Sequence, residues 1–201
     1  MALRVSAVVA PLGRRVVAFL LDGLILVPVW VVYGVALDAI FGPLIASDPG
    51  GTGIVVLAVD APRFAFELAL TLLTDAAYYA GCWVRWGMTP GQRVCGVAVR
   101  TAPTAAPTAA PTPPERQRAL ELDPDRVPAP VATIRWAVLQ LLPICAGSLG
   151  SAGALPLGVV AGITAGWSVA LLLSAAADPM RRGLHDRAAG TVVVLAARRR
   201  A

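Results

Sequence analysis

Apolar residues in this chain gather in long runs, with few polar interruptions. The first run extends from Val16 to Phe41 and is broken by Asp22, Pro28 and Asp38. It exceeds the ~20 residues needed to cross a bilayer, which predicts a transmembrane helix over about 15–38. Arg4, Arg14 and Arg15 precede it, so a signal peptide is the competing reading. A signal core is shorter, and an aspartate inside it is unusual. Residues 42–63 carry Gly42, Pro43, Pro49, Gly50, Gly51, Gly53 and Pro62, which are turn and loop signals, with Ile54–Val59 as a short interfacial helix or strand. Phe64–Val84, interrupted by Glu67 and Asp75, predicts a second span over about 64–84. Trp136–Ala177 is too long for one span, and Gly147, Gly150, Gly153 and Pro156 divide it. We expect a third span at about 135–151 and a fourth at about 156–177. The third is short and contains Pro143, so a re-entrant pair is the alternative.

Two polar-flanked stretches follow a different pattern. Arg93–Arg100 (RVCGVAVR) and Thr191–Leu195 (TVVVL) are short and valine-rich. They suit strands and are expected to pair as a ribbon against the membrane surface. Met88–Gly91 would be the turn into the first strand, and Gly190 would release the second from a helix or turn over 184–189. Residues 101–114 read TAPTAAPTAAPTPP, and 115–130 are charged and punctuated by proline. A disordered Pro/Ala/Thr-rich cytoplasmic loop over 101–130 is expected. The fold class is therefore all-α membrane, a four-helix transmembrane bundle with a small cytoplasmic two-stranded β ribbon, in a single domain over 1–201.

Composition agrees with that pattern. Of 201 residues, 57% are hydrophobic and 14% charged, and mean hydropathy is +0.72. A typical soluble domain is about a quarter charged, so an ordinary soluble enzyme and a disordered chain are both disfavoured. The net charge of +5 comes entirely from arginine on the basic side. These arginines lie between apolar spans, so nucleic acid is not an expected partner. Three fall in the N-terminal segment, seven in the middle loop and its edges, and six in the C-terminal tail; the remaining one is Arg63. The positive-inside rule then places both termini and the long loop in the cytoplasm, consistent with four spans.

Polar residues inside the spans are the candidate chemistry. Asp22 lies seven residues beyond Arg15, ~10 Å along the helix, and Asp75 lies nine residues before Val84, ~13 Å. Each acid is costly in a bilayer and is expected to face the bundle interior. Arg15 and Asp22 share a helix face within ~20°. They form either a polar seam that fixes packing or a protonatable site beside a cationic mouth. Glu67 lies near the outer end of its span, where a structural role is expected. Gly158, Gly162 and Gly166 form a small-residue stripe on the fourth span, expected to pack within the bundle, with homodimerisation as the sharper reading. Trp30, Tyr33, Trp83, Trp86 and Trp136 lie toward span ends and read as interfacial anchors.

No enzyme motif is recognisable. Gly51-Thr52-Gly53 lacks the rest of a dinucleotide loop. His185 beside Asp186 has no nucleophile near it. Cys82, Cys95 and Cys145 form no C-x-x-C pair, so neither a metal nor a cofactor is expected.

Three separated segments together resemble the RDD family of bacterial membrane proteins. The first is Arg14-Arg15 followed by Ala18-Phe19-Leu20-Leu21-Asp22. The second is Thr89-Pro90-Gly91-Gln92-Arg93-Val94-Cys95-Gly96, similar to a T-P-G-K-R-x-x-G loop with Gln92 where lysine is usual. The third is Gly183-Leu184-His185-Asp186-Arg187-Ala188-Ala189-Gly190-Thr191, similar to G-L-H-D-x-x-A-G-T, with Asp186 as the second namesake aspartate. The resemblance covers nearly the whole chain except the Pro/Thr linker. It implies a multi-pass plasma-membrane protein, in a family for which cation/proton antiport has been proposed. Asp75 lies outside these motifs and rests on the depth argument alone. Two functions follow as expectations. In the first, Asp22, with Asp75, binds a proton or small cation; Arg15 tunes Asp22, Asp186 and Arg93 organise the mouth, and a homodimer forms the pathway, since four spans make a thin bundle. In the second, the polar seam holds a non-transporting scaffold whose basic face binds anionic lipid or a protein partner.

Overall fold

The computed structural model describes residues 5–49, 55–102, 120–122 and 127–196. Four long helices dominate: α1 (Leu12–Phe41), α2 (Ala61–Trp86), α4 (Ala129–Ser151) and α5 (Leu157–Ala177). Between them lie α3 (Pro90–Val94) and α6 (Leu184–Ala188), each five residues long. Six short strands form three antiparallel pairs: β1 (Val5–Ala7) with β5 (Leu120–Leu122), β2 (Ile45–Pro49) with β3 (Val55–Val59), and β4 (Val97–Thr101) with β6 (Thr191–Leu195).

Among the described residues, three helices, α1, α4 and α5, are long and apolar enough to cross a membrane. The second expected span, α2, is not among them. Its 26 residues reach ~39 Å, but Glu67 and Asp75 interrupt its apolar run. Asp60 caps α2 by accepting from the Arg63 backbone at 3.1 Å, and Gly87 ends it in the left-handed conformation. The helix that contains the third expected span begins before it. Helix α4 starts at Ala129 and runs through Pro143 without interruption.

The valine-rich ribbon forms in the register Val97↔Leu195, Val99↔Val193 and Thr101↔Thr191. Two features differ from expectation. Pro90–Val94 is helical, so the first strand is confined to 97–101. Thr89 caps that turn, its side chain accepting from Gln92 N while Gln92 Oε1 accepts from Thr89 N, and Pro90 occupies the first helical position; these are helix-start signals. The ribbon is also interior to the protein. Val97, Val99 and Val193 pack with Trp83, Val127 and Ala132, while Ala98, Val192 and Val194 pack with Val9 and Met88. Residues 8–10 run beside β6, with Ala10 N donating to Val193 O at 3.0 Å and Leu195 N to Val8 O at 2.8 Å. Both faces are therefore covered, as a continuous valine run implies.

Most of the expected loop over 101–130 lies outside the described residues. Within it, Leu120–Leu122 is a strand, Val127 is buried and α4 begins at Ala129. The glycine stripe is corrected. Among the described residues, nothing beyond the local helix lies within 4 Å of a Cβ built on Gly158, Gly162 or Gly166. Helix α5 meets α4 through another face, where Gly150 admits Val160 at 2.6 Å from such a Cβ. Two of the five expected aromatic anchors are interior donors: Trp83 is buried, and Trp136 donates to Asp75.

Candidate functional site

Three aspartates lie within the fold, each almost wholly hidden from solvent: Asp22 at 1%, Asp75 at 0% and Asp186 at 1% exposure. Their partners separate them.

Asp22 faces the α3 loop. It accepts from Tyr78 Oη at 2.7 Å, from Thr89 Oγ1 at 2.5 Å and from Gly91 N at 2.8 Å. Gly91 has to be glycine for this approach, because a Cβ there would collide with the Ala18 carbonyl and lie 2.7 Å from Asp22 Oδ1. The carboxylate thus fastens α1, α2 and α3 together. Hydrogen bonds to a charged acceptor are among the stronger ones, and burial raises the cost of losing them.

Asp186 is the centre of a second cluster. It accepts from Arg135 Nη1 at 2.6 Å, from Thr191 Oγ1 at 3.1 Å and from Gly183 N at 3.3 Å. Arg15 Nη1 lies 3.6 Å away, and His185 Nε2 lies 3.5 Å away. Burial pushes the Asp186 carboxyl up, but Arg135 and Arg15 outweigh it and hold the group below the usual carboxylate range. Burial pushes His185 down to about 4, with Arg135 and Arg15 assisting against the pull of Asp186, so the imidazole is neutral at pH 7.

Arg15 is therefore placed on Asp186, with no ion pair to Asp22. It also donates to the Ala10, Arg181 and Val193 carbonyls at 3.2, 2.5 and 3.0 Å, tying the chain before α1 to the ribbon. Arg93, expected with Asp186 at the cytoplasmic mouth, is exposed on α3, and the arginine that pairs most closely with Asp186 is Arg135. Trp83 joins the two clusters: its Nε1 donates to Gln92 Oε1 at 3.0 Å, and the Arg135 guanidinium lies 4.6 Å from its ring centroid. Gly96 and Gly190, at φ 65° and 62°, turn the chain into β4 and β6.

Asp75, midway along α2, is held differently. Its Oδ2 accepts from Trp136 Nε1 at 2.7 Å, while its Oδ1 is buried with no partner among the described residues. One helical turn away, Thr71 Oγ1 and Tyr33 Oη share a hydrogen bond of 2.6 Å. At the opposite end of the bundle, Arg63 pairs with Asp38.

Sequence reasoning missed Arg135, Trp83, Gln92, Tyr78 and Trp136 as partners. Arg135 and Trp136 offered a signal, a cation and an N–H donor adjacent at the head of an apolar run. Gln92, read as a lost positive charge, is instead a double acceptor within the helix cap.

Apolar helices around two buried carboxylate clusters, with an enclosed ribbon at one end, define a helical membrane protein. The chain belongs to the RDD family, which it matches over residues 9–190. No curated protein and no solved structure matches it.

Proposed function

We propose that this RDD protein is a non-enzymatic, four-span protein of the plasma membrane that moves protons or small cations, with Asp75 as the carrier group. The four spans are α1, α2, α4 and α5, and both termini and the long loop are cytoplasmic. The arginine distribution supports that orientation. The polar residues of α2 face partners on neighbouring helices, Thr71 toward Tyr33 and Asp75 toward Trp136, which supports α2 as a span shielded by the others.

The observation that carries the transport reading is the vacant acceptor on Asp75. A carboxylate oxygen held away from water without a donor is costly, and binding a proton or cation relieves that cost. Asp22 and Asp186 have their acceptors filled by protein groups, so they serve as fastenings. The test is cation-driven proton flux in everted vesicles, with sodium, lithium and potassium added in turn at matched protein levels. Asp75→Asn should abolish the flux while leaving the protein level unchanged. Asp22→Asn should lower the protein level and retain flux per molecule. Equal flux in Asp75→Asn and wild type would overturn the assignment.

A specific observation favours a second reading. The family-motif residues Arg15, Asp22, Thr89, Gly91, Asp186 and Thr191 all act to hold α3 and the ribbon on the bundle. That arrangement suits a scaffold presenting a rigid cytoplasmic face. Wild-type flux no greater than that of empty vesicles, with the protein folded, would select it.

A further inference from the structure

Helix α1 packs chiefly on α3 and α2, and α5 packs on α4 and α6. Between α1 and α5 lies a cavity of about 440 Å³. It is open at its rim, where Leu20 is 64% and Leu172 44% exposed. Its walls are apolar through Val16, Phe19, Tyr79, Leu139 and Leu171, and they extend along α5 from Thr164 to Ala175, ~16 Å of helix. One end is charged, formed by Arg15, Arg135, His185 and Asp186.

We propose that this groove binds an anionic phospholipid, with its phosphate at the Arg15–Arg135 end and one acyl chain along α1 and α5.

Three features support that occupant. First, the charged end holds two guanidiniums and one carboxylate, with His185 neutral. The remaining acid on the wall, Asp22, is two helical turns from Arg15 and is filled by Tyr78, Thr89 and Gly91. A cation in excess at a buried site requires an anion to offset its desolvation. Second, Arg135 is 3% exposed, and its Nε has no acceptor among the described residues. Guanidinium N–H groups only donate, so this one suits an acceptor such as a phosphate oxygen. Third, the rim of the groove is formed by exposed leucines of α1 and α5, Leu20 and Leu172. Both helices are apolar enough to cross a membrane, so in that setting a chain would enter from the bilayer without crossing water. A free inorganic anion would match the charged end and leave the apolar walls uncovered. The site is separate from the Asp75 assignment and survives its failure.

Trp167 lines the groove and reports on it. The full-length protein would be placed in phosphatidylcholine nanodiscs containing a minor fraction of either phosphatidylglycerol or phosphatidylcholine brominated on the acyl chain. Bromine quenches nearby indoles, and the Trp167 contribution is the difference between wild type and Trp167→Phe. Brominated phosphatidylglycerol should quench Trp167 at about fivefold lower mole fraction than brominated phosphatidylcholine, the equivalent of ~1 kcal/mol. Ser168→Phe fills the groove without removing an interhelical bond, since Ser168 Oγ donates to the Thr164 carbonyl in its own helix. That variant should lose the preference. Arg15→Gln, where it folds, should lose it too. Equal quenching by the two lipids, or a preference that persists in Ser168→Phe, would overturn the proposal.

Discussion

Asp22 and Asp75 lie at comparable distances from the ribbon-end termini of their helices, ~15 Å from the start of α1 and ~16 Å from the end of α2. Both are buried. Asp22 is met by two hydroxyls and a backbone N–H from two other elements, whereas Asp75 is met by one indole and keeps an open oxygen. The contrast extends to the regions around them. The ribbon end is cross-linked by charged hydrogen bonds through Asp22 and Asp186, and the middle of the bundle is joined by isolated polar pairs. Depth and residue type alone therefore do not separate the two carboxylates; the number of donors around each does.

The strongest way to break the ribbon end is to remove its central charge. Asp186→Ala leaves Arg135 buried without its partner, and losses of about 3–5 kcal/mol follow from breaking such a pair on one side. Thermal unfolding in detergent should show a large drop in Tm, with the membrane level reduced. Asp75→Ala leaves Trp136 Nε1 without its acceptor but also removes an already unfilled oxygen, so its stability should fall by only about 1 kcal/mol. Equal destabilisation by the two substitutions would erase the distinction between the regions.

The α3 loop gives the next effect. Gly91→Ala drives a methyl into the Ala18 carbonyl and Asp22, and Thr89→Val removes a donor from a buried carboxylate. Each should cost about 1–3 kcal/mol. Thr89→Ser keeps the hydroxyl and should restore most of the stability, measured by the same unfolding assay.

Acidification separates the regions in a third way. His185 is depressed from 6.5 to about 4 by burial, so the unfolded chain binds the proton more readily. Stability should therefore fall as pH drops from about 6.5 toward 4, by on the order of 2 kcal/mol. Asp186, held below its ordinary value, extends the same trend at lower pH, because protonation weakens its bonds to Arg135. His185→Gln should flatten the decline between pH 6.5 and 4; an unchanged decline would place the sensitive group elsewhere.

Much of this was legible in the sequence. The apolar runs mark α1, α4 and α5, and the two valine segments mark the ribbon. Asp22 stood out from residue type and position, and Asp186, Thr89 and Gly91 through the motifs that resemble the RDD family. The partners did not, because they depend on which faces meet in three dimensions. Arg15 and Asp22 share a face of α1, but the packing of α6 brings Asp186 to Arg15. Arg93 and Arg135 are both arginines beside apolar segments; one is exposed, and the other is the buried counter-charge. The spacing of Thr89, Pro90 and Gln92 did contain a helix start, obscured by the valine pattern that follows it.

The smallest expected effect concerns the glycine stripe of α5. A Cβ added at Gly158, Gly162 or Gly166 meets no atom within 4 Å beyond its own stretch of helix, among the described residues. A methyl at Gly162 therefore meets open space, and alanine is favoured over glycine in a helix by up to ~1 kcal/mol. Gly162→Ala should leave the unfolding temperature of the isolated chain unchanged or slightly raised. The same substitution separates two environments for that face. If lipid covers it, the sedimentation behaviour in detergent is unaltered. If a second copy packs there, the methyl holds the two backbones apart and the dimer fraction falls, since close approach is what small residues at this spacing allow. Either result sharpens the contrast with Gly91, where the same added methyl has no room.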